Sequence, residues 1–281
     1  SCMPAFGAAY VRRIFLILDQ AIARSVPLIM AVAGPVTVSD QHRCWMIPLL
    51  KTGWFAYITV TDAICYHDGH RCLDKMSEKQ ICEVPIEGHD LELRKQGIIR
   101  VTNTGFPEQI LFDQDEFITH VLRTAEFQKT MVGTEFRREL GRHYDKTEKA
   151  LGIRPGLLST CFQYDIPVFV GAPGDGSVFL NSVKLWALDR IGGPKHSFEL
   201  DIHEEVFESC AYHYWGLPQS EAKQLGILIL GGGVPKNFSL QPEPTLSQIF
   251  GLPDIRGYDY DVQIVGAPVT DGSLTSCKPD E

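Results

Sequence analysis

Two loops of nearly the same sequence hold the residues with the most informative chemistry. Asp175-Gly176-Ser177 and Asp271-Gly272-Ser273 each come shortly after a Val-Gly-Ala-Pro stretch, which itself follows or ends an apolar run. An aspartate accepts hydrogen bonds from ribose hydroxyls or pairs with an ammonium group, and glycine lets backbone approach a ligand. The same tripeptide is also common turn and helix-cap chemistry, and two copies leave the two interpretations about equally supported.

A third loop carries three consecutive glycines. Gly231-Gly232-Gly233 follows the apolar run Gly226–Leu230 and precedes Val-Pro-Lys. Such a loop could cradle a pyrophosphate, although it matches neither Gly-x-Gly-x-x-Gly nor the P-loop pattern. If the strands are parallel, all three loops leave the sheet at its carboxyl edge, where open α/β sheets bind ligands. We therefore expect Asp175 and Asp271 to lie near each other and to flank a cofactor-sized cleft with Gly232.

Other polar clusters in the sequence are weaker evidence for a functional site than these three loops. His67-Asp68-Gly69-His70 resembles a pair of metal ligands, but no third ligand accompanies it, and a polar surface loop is the favoured interpretation. Glu204, Glu205 and Glu208 fall on an expected helix and are interpreted as its solvated face. No Gly-x-Ser-x-Gly elbow is present, and no cysteine stands in a recognisable nucleophile context. The residues alone therefore identify no catalytic group and no metal site.

The elements that must position these loops alternate between apolar strands and amphipathic helices. This pattern predicts an α/β fold with a mostly parallel sheet covered on both faces, and no break in composition divides residues 1–281 into two domains. The segment from Cys65 to Arg94 is polar and is expected to be mostly loop, and Thr134 is expected to cap a helix that runs to about His143. Strands are expected at Leu28–Val32, Trp54–Val60, Ile166–Val170, Gly226–Leu230 and Val262–Val265, and further helices at Ala8–Arg24, His42–Leu50 and Asp201–Tyr214.

Composition narrows the functional classes. The 281 residues are 44% hydrophobic with a formal net charge of −9, so the chain is a poor candidate for binding nucleic-acid phosphates. Eight cysteines are scattered and never form Cys-x-x-Cys, which favours free thiols in a reducing, cytoplasmic compartment. No apolar run reaches the length of a membrane span, and no leader pattern opens the chain.

Taken together in their order, these segments resemble those of deoxyhypusine synthases. The resemblance extends from about Phe6 to Glu281 and implies a Rossmann-like, three-layer, NAD-binding domain. It further implies a tetramer whose active sites straddle a dimer interface. The implied reaction moves an aminobutyl group from spermidine, through NAD-dependent oxidation and an imine on an enzyme lysine, to a lysine of a translation factor. The segments that carry the resemblance are Gly97–Val101, Ile166–Phe169, Asp175–Ser177, Ile229–Val234 with Lys236, Asp271–Ser273 and Pro279–Glu281.

The resemblance also assigns roles to individual positions. Asp175 and Asp271 match aspartates that contact NAD, and Gly232 and Ala267 match backbone positions that line the cofactor. Gly272, Ser273 and Glu281 match parts of the polyamine and nicotinamide pocket. The implied cofactor-binding set is Asp175, Gly232, Ala267, Asp271 and Ser273, and the implied remnants of the substrate pocket are Gly272, Glu281 and Asn237.

The departures from the family pattern are chemical. Leu180 and Leu274 stand where the family has carboxylates, and a buried ammonium group without carboxylates carries a large desolvation cost. Asn237 replaces the family's histidine and cannot act as an acid or a base. The run Thr61–His67 (TDAICYH) replaces Thr-Ala-Gly-Gly-Val-Glu-Glu. The family's tryptophan and imine-forming lysine lie beyond Pro-Asp-Glu, where this sequence ends.

These departures favour a catalytically impaired regulatory subunit, with no catalytic residue of its own, in a cytoplasmic heterotetramer with an active deoxyhypusine synthase paralog. Such a subunit would bind NAD and reach the hypusine-bearing translation factor through the complex. Three alternatives stay open. The chain could be an active deoxyhypusine synthase seen in part, an aminobutyltransferase for another amine such as a homospermidine synthase, or a nucleotide-binding scaffold.

Overall fold

The computed structural model describes residues 5–73, 81–87, 89–219 and 223–276. Within these ranges the strands are β1 (Leu28–Val32), β2 (Phe55–Val60), β3 (Cys82–Glu83), β4 (Ile98–Val101), β5 (Thr104–Pro107), β6 (Thr130–Val132), β7 (Val168–Val170), β8 (Glu199–Asp201), β9 (Gly226–Leu230) and β10 (Tyr260–Ile264). The helices are α1 (Ala5–Ala23), α2 (Met46–Leu50), α3 (Asp62–Cys72), α4 (Asp90–Lys95), α5 (Gln109–Leu122), α6 (Gly133–Leu151), α7 (Leu157–Gln163), α8 (Ser177–Arg190), α9 (Ile202–Gln219), α10 (Gly233–Leu240) and α11 (Pro242–Pro244). None of the helices in these ranges is long and apolar enough to cross a membrane.

Five strands form the central sheet in the order β10-β9-β1-β2-β7, and every neighbouring pair is parallel. From β1 the chain first builds outward through β2 to β7, and it then returns to place β9 and β10 on the other side. This is the doubly wound order of Rossmann-like domains, and its direction of winding reverses between β1 and β9. The predicted α/β fold with a mostly parallel sheet is therefore confirmed. Two small sheets, β3-β5-β4 and β6-β8, complete the strand pairing.

The central sheet is covered on both faces because its apolar strands alternate their side chains between two cores. Leu28, Met30 and Val32 point into the larger core, which also contains residues of α1 to α3 and α5 to α8. Ile29 and Ala31 point into the smaller core, where side chains of α9 and α10 pack. The result is the three-layer arrangement that the resemblance implies.

The expectation of mostly loop between Cys65 and Arg94 is wrong, because α3 and α4 lie within or across that segment. The buried face of α3 includes polar side chains, among them Asp68 and His70, and these interrupt the apolar stripe. Asp68 accepts hydrogen bonds from the backbone at the start of α7. Apolar periodicity, the signal that identifies an amphipathic helix, is therefore missing from the sequence. The capping prediction at Thr134 is also wrong, since α6 begins at Gly133 and the Thr134 hydroxyl donates to the Glu208 carboxylate.

Glu205 is not on a solvated face, contrary to the sequence interpretation. Its carboxylate accepts hydrogen bonds from the Arg137 guanidinium and from the backbone N–H of Val170, and both charged side chains are 2% exposed. Arg137 also donates to the carbonyl of Val168 at 2.5 Å. The pair therefore joins α6 and α9 to edge strand β7, and it fixes the strand from which the Asp175 loop emerges.

We expect Glu205→Ala to lower the free energy of unfolding by about 3–5 kcal/mol, because it leaves the buried Arg137 charge without a partner. Glu204→Ala is the matched control, since Glu204 lies one residue away on the same helix and is exposed. The control should change stability by no more than about 0.5 kcal/mol. Urea denaturation of both variants measures the difference, and equal losses would refute this role for the pair.

Asp62, the first residue of α3, holds the start of α8. It is 4% exposed, and its carboxylate accepts a hydrogen bond from the backbone N–H of Val178 at 2.8 Å. A Cβ atom at Gly176 would collide with Asp62, so glycine is required for this close approach. Burial raises the pKa of Asp62 to about 6, and the nearby Asp175 carboxylate adds to the effect.

This raised pKa gives a pH-dependent stability. The folded state binds the Asp62 proton more tightly than the unfolded state does, so its contribution is full below about pH 4 and is lost as the pH rises through about 6. Relative to Asp62→Asn, which does not titrate, the wild type should lose about 3 kcal/mol of unfolding free energy across that window. Urea denaturation of both proteins at several pH values measures the difference, and a constant difference would contradict the assignment.

Candidate functional site

The winding of the chain reverses between β1 and β9. In open α/β sheets this position at the carboxyl edge is where ligands bind, and it is called the crevice below. The backbone N–H of Ala33, just after β1, donates to the carbonyl of Leu230 at 2.9 Å. A Cβ atom at Gly231 would lie 3.3 Å from the Cβ of Ala33. The loops that follow β1 and β9 therefore leave the sheet side by side, and they form the two walls of the crevice.

Glycines on both walls leave the backbone open to a ligand. Gly34 has φ +98° and Gly233 has φ +60°, and nothing lies within 4 Å of the position that a Cβ atom would take at either residue. Helix α10 begins at Gly233, so its unpaired N–H groups face the end of the glycine loop. Open backbone beside a helix N-terminus is an arrangement that accommodates phosphate groups.

A buried lysine fixes the wall that follows β9. The Nζ of Lys236 donates to the Oε1 of Gln263 at 3.0 Å and to the carbonyl of Thr275 at 2.9 Å. Gln263 in turn donates from Nε2 to the carbonyl of Gly231 at 3.0 Å. At Gly232 a Cβ atom would lie 2.5 Å from the Thr275 hydroxyl oxygen, so Gly232 permits this close packing. The sequence interpretation missed Gln263, which lies inside an ordinary strand run and carries no local signal.

The loop after β10 holds Asp271 in a tight turn. The Oδ1 of Asp271 accepts hydrogen bonds from the backbone N–H of Ser273 at 2.9 Å and from its hydroxyl at 2.8 Å. These bonds lower the pKa of the exposed Asp271 carboxyl. Ala267 is half-buried, and Gly272 and Ser273 are exposed in the same loop. This copy of Asp-Gly-Ser therefore forms the turn that its sequence favours, with the Asp271 side chain exposed.

The prediction that Asp175 and Asp271 lie near each other is wrong for a single chain. Asp175 follows β7 and Asp271 follows β10, and these are the two edge strands of the sheet. Four strand spacings of about 4.8 Å separate the edges by about 19 Å. Both aspartates are exposed, but only Asp271 is on the same side of the crevice as Gly232. The error arises because a repeated motif shows that two strands are followed by similar loops. It does not show that the two strands are adjacent in the sheet.

The remaining pocket positions are placed as follows. Leu180, in the first turn of α8, is 48% exposed, and Leu274, in the loop after β10, is 51% exposed. Asn237 is half-buried on α10 and accepts a hydrogen bond from Gln241 at 3.3 Å. Glu281 lies outside the described residues. The structure thus keeps the Asp175 and Leu180 region at one end of the carboxyl edge and the Asp271 and Leu274 region at the other.

His67-Asp68-Gly69-His70 is a buried helical segment and not a polar surface loop. Asp68 caps α7, since its two carboxylate oxygens accept the backbone N–H groups of Leu157 at 2.7 Å and Leu158 at 2.9 Å. Burial lowers the pKa of His67 to about 4. In the described part of the chain, no group of three His, Cys, Asp or Glu residues could hold a metal ion. The sequence interpretation failed here because capping contacts are made to residues far along the chain.

Comparison with known proteins agrees with this architecture. A "Deoxyhypusine synthase-like protein" of the cyanobacterium Nostoc punctiforme is 32% identical over 281 residues, which cover 99% of this chain and 68% of that protein. A Methanosarcina thermophila protein assigned as a deoxyhypusine synthase is 25% identical over 279 residues, with 99% and 77% covered. A crystal structure from Entamoeba histolytica, also assigned to deoxyhypusine synthase, superposes with a TM-score of 0.51 at 13% identity. That superposition covers 74% of this chain and 58% of the other, and it shows the shared fold.

The sequence model of the family described as deoxyhypusine synthase matches residues 1–281. The match thus includes the strands of the central sheet, the glycine loop and both Asp-Gly-Ser loops. The resemblance inferred from the motifs is confirmed, and the chain belongs to the deoxyhypusine synthase family.

Proposed function

We propose that this chain is a NAD-binding, catalytically impaired regulatory subunit of a deoxyhypusine synthase complex. The support for a dinucleotide in the crevice between the loops after β1 and β9 is that Gly34 and Gly233 leave open space where other residues would place side chains. Gly231 to Gly233 and the first N–H groups of α10 would hold the pyrophosphate. The exposed Asp271 carboxylate would accept a hydrogen bond from a ribose hydroxyl. When bound, NAD supplies the hydride acceptor for oxidation of the amine.

The observation that carries the impaired role is the pair of leucines at the amine positions. Leu180 and Leu274 stand where the family has carboxylates, and both side chains are about half exposed at the carboxyl edge. An alkyl group cannot pair with an ammonium group, and an ammonium group that is buried without a partner keeps its full desolvation penalty. Asn237 adds to the impairment, since an amide neither takes up nor releases a proton near neutral pH.

The separation of the two Asp-Gly-Ser loops supports a site completed by a second subunit. Each loop sits on an edge strand, so one chain offers two half-sites about 19 Å apart instead of one complete pocket. Beside the Asp175 half-site, α8 exposes an apolar stripe of Leu180, Val183 and Trp186 at helical spacing. Exposed apolar surface of this kind is typical of a protein–protein interface. A paralog docked there would supply the missing carboxylates.

In this proposal the assembly is a cytoplasmic heterotetramer with an active deoxyhypusine synthase paralog. The paralog performs the imine chemistry, and the hypusine-bearing translation factor binds the complex at the paralog. This chain contributes its glycine-lined crevice and its interface. No contact with nucleic acid or with a membrane is part of the proposal, in keeping with the net charge of −9.

A second candidate is an aminobutyltransferase that acts on another amine. The observation that favours it is the higher identity to the cyanobacterial "deoxyhypusine synthase-like" protein, 32% against 25% for the Methanosarcina protein. In this reading, Leu180 of one copy and Leu274 of a second copy of this chain shape a pocket for an amine with fewer charges, since one chain holds the two leucines at opposite ends of the carboxyl edge. Turnover of the purified chain with NAD, spermidine and putrescine, in the absence of any paralog, would select this candidate.

For the cofactor, we expect the chain to bind NAD and Gly34→Ala to weaken binding about tenfold or more, because the added methyl group enters the crevice and opposes φ +98°. Gly53→Ala is the matched control. Gly53 has φ +76° and equally open space, but it precedes β2 and therefore lies at the amino-terminal ends of the strands, away from the crevice. Both variants should lose similar stability. Titration calorimetry measures the affinity, and equal affinities for the two variants would refute this binding site.

For the complex, we expect the chain alone to produce no measurable deoxyhypusine and to raise the turnover of the active paralog from its own organism when mixed with it. A permanent interface should bury more than about 2,000 Å², so the mixture should elute as one larger species at micromolar concentration. Trp186→Glu places a charge within the apolar stripe of α8 and should abolish co-elution. Separate elution with unchanged turnover on mixing would contradict the regulatory role.

A further inference from the structure

The segment Ala33–Cys44 follows β1 and is called the β1 loop below. One buried histidine makes several of the contacts that hold it. His42 is fully buried, and its backbone N–H donates to the carbonyl of Val36 at 3.1 Å. Its ring nitrogen Nδ1 lies 3.2 Å from the same carbonyl and can only donate to it. The ring and the backbone of His42 thus fix the same oxygen atom, and this closes the loop on itself.

The opposite side of the imidazole ring faces a carboxylate that cannot easily move. Nε2 of His42 lies 3.4 Å from Oδ1 of Asp68, and both side chains are fully buried. Asp68 is itself held by the two N–H groups at the start of α7, those of Leu157 and Leu158. Nε2 makes no hydrogen bond to Asp68, so the contact is one of packing, and it places the His42 ring of the β1 loop against a helix cap that belongs to the core.

The same contacts continue to the crevice wall. The backbone N–H of Val36 donates to the carbonyl of Gly34 at 2.9 Å, so the fixed Val36 carbonyl lies one short turn from Gly34. Gly34 is the residue of the β1 loop whose backbone is open to a ligand. Other contacts hold the loop as well. The Thr37 hydroxyl donates to the carbonyl of Ile64 at 2.9 Å, and the Ser39 hydroxyl donates to the Val36 carbonyl at 3.4 Å. The Arg43 guanidinium donates to the carbonyls of Arg154 at 3.1 Å and Pro155 at 3.2 Å.

We propose that His42 and Asp68 are positioning residues that set the place of Gly34 in the dinucleotide crevice. Neither side chain touches the crevice, and their effect passes through the Val36 carbonyl. The inference rests on the proposed binding of NAD. It also assigns a role to the buried His67–His70 segment, whose Asp68 serves the β1 loop and α7 at the same time.

The test compares substitutions that keep or remove each contact. His42→Leu removes both ring contacts at similar volume, whereas His42→Gln retains an amide that can donate to Asp68. His213→Leu is the matched control, because His213 is equally buried and its Nε2 lies 2.7 Å from the carbonyl of Arg256, before β10 and away from the crevice. Each variant is measured for NAD affinity by calorimetry, for melting temperature, and for amide hydrogen exchange.

His42→Leu should weaken NAD binding about tenfold, since displacing a wall by a fraction of an ångström misaligns the contacts that it makes. His42→Gln should stay within about threefold of the wild type, and His213→Leu within about twofold at a comparable loss of melting temperature. Equal weakening by His42→Leu and His213→Leu at equal stability would show a general structural role and overturn the proposal.

Hydrogen exchange separates this inference from the proposed function. If the wild type binds no NAD, the proposed function fails, but the positioning of the β1 loop can still be measured in the free protein. His42→Leu should then speed exchange of the amides in the β1 loop relative to the rest of the chain, and His213→Leu should not. Unchanged protection of the loop in His42→Leu would overturn the inference in either case.

Discussion

The common direction of the five central strands is the constraint on which the rest of the structure depends. Parallel strands deliver all of their following loops to one edge, so the glycine loop and both Asp-Gly-Ser loops must emerge there. The strand order then decides which loops meet. Because winding reverses between β1 and β9, the loops after these two strands flank the switch point of the described sheet. The loops after β7 and β10 are carried to the outer ends, where another subunit can reach them.

The sequence predicted the parts of this arrangement that depend on local pattern. Leu28–Val32 and Gly226–Leu230 are strands because short, continuous apolar runs suit a sheet that is covered on both faces. Helix α3 was missed for the opposite reason, since residues such as Asp68 face the interior and remove the apolar stripe. The lateral order of the strands was beyond prediction, because it is set by long-range packing of helices. For this reason the similarity between the Asp175 and Asp271 loops led to the incorrect prediction that the two aspartates lie close together.

The sequence predicted the types of residue that form the candidate site, but it predicted only part of their arrangement in space. The triple glycine was recognised, and its required open backbone is present at Gly233. Gly34 was not singled out, although a Gly-Pro pair directly after a buried strand is the available signal. Gln263 and Lys236 join the loops after β9 and β10 by contacts that span 27 residues of sequence, and no spacing rule points to them. The family resemblance identified which positions matter, but only the coordinates show that a single chain divides them between two edges.

Burial, and not residue type, separates the carboxylates of the scaffold from those available to a ligand. Asp62, Asp68 and Glu205 are buried, and each accepts at least one backbone N–H that ties neighbouring elements together. Asp175 and Asp271, in contrast, are exposed at the carboxyl edge. Asp62 lies close enough to Asp175 for the charge of Asp175 to raise its pKa, yet it is the cap of α8 and is enclosed by Gly176. It therefore cannot replace the carboxylate that the family places at Leu180. In the proposed complex, a second subunit supplies the carboxylate that Leu180 replaces.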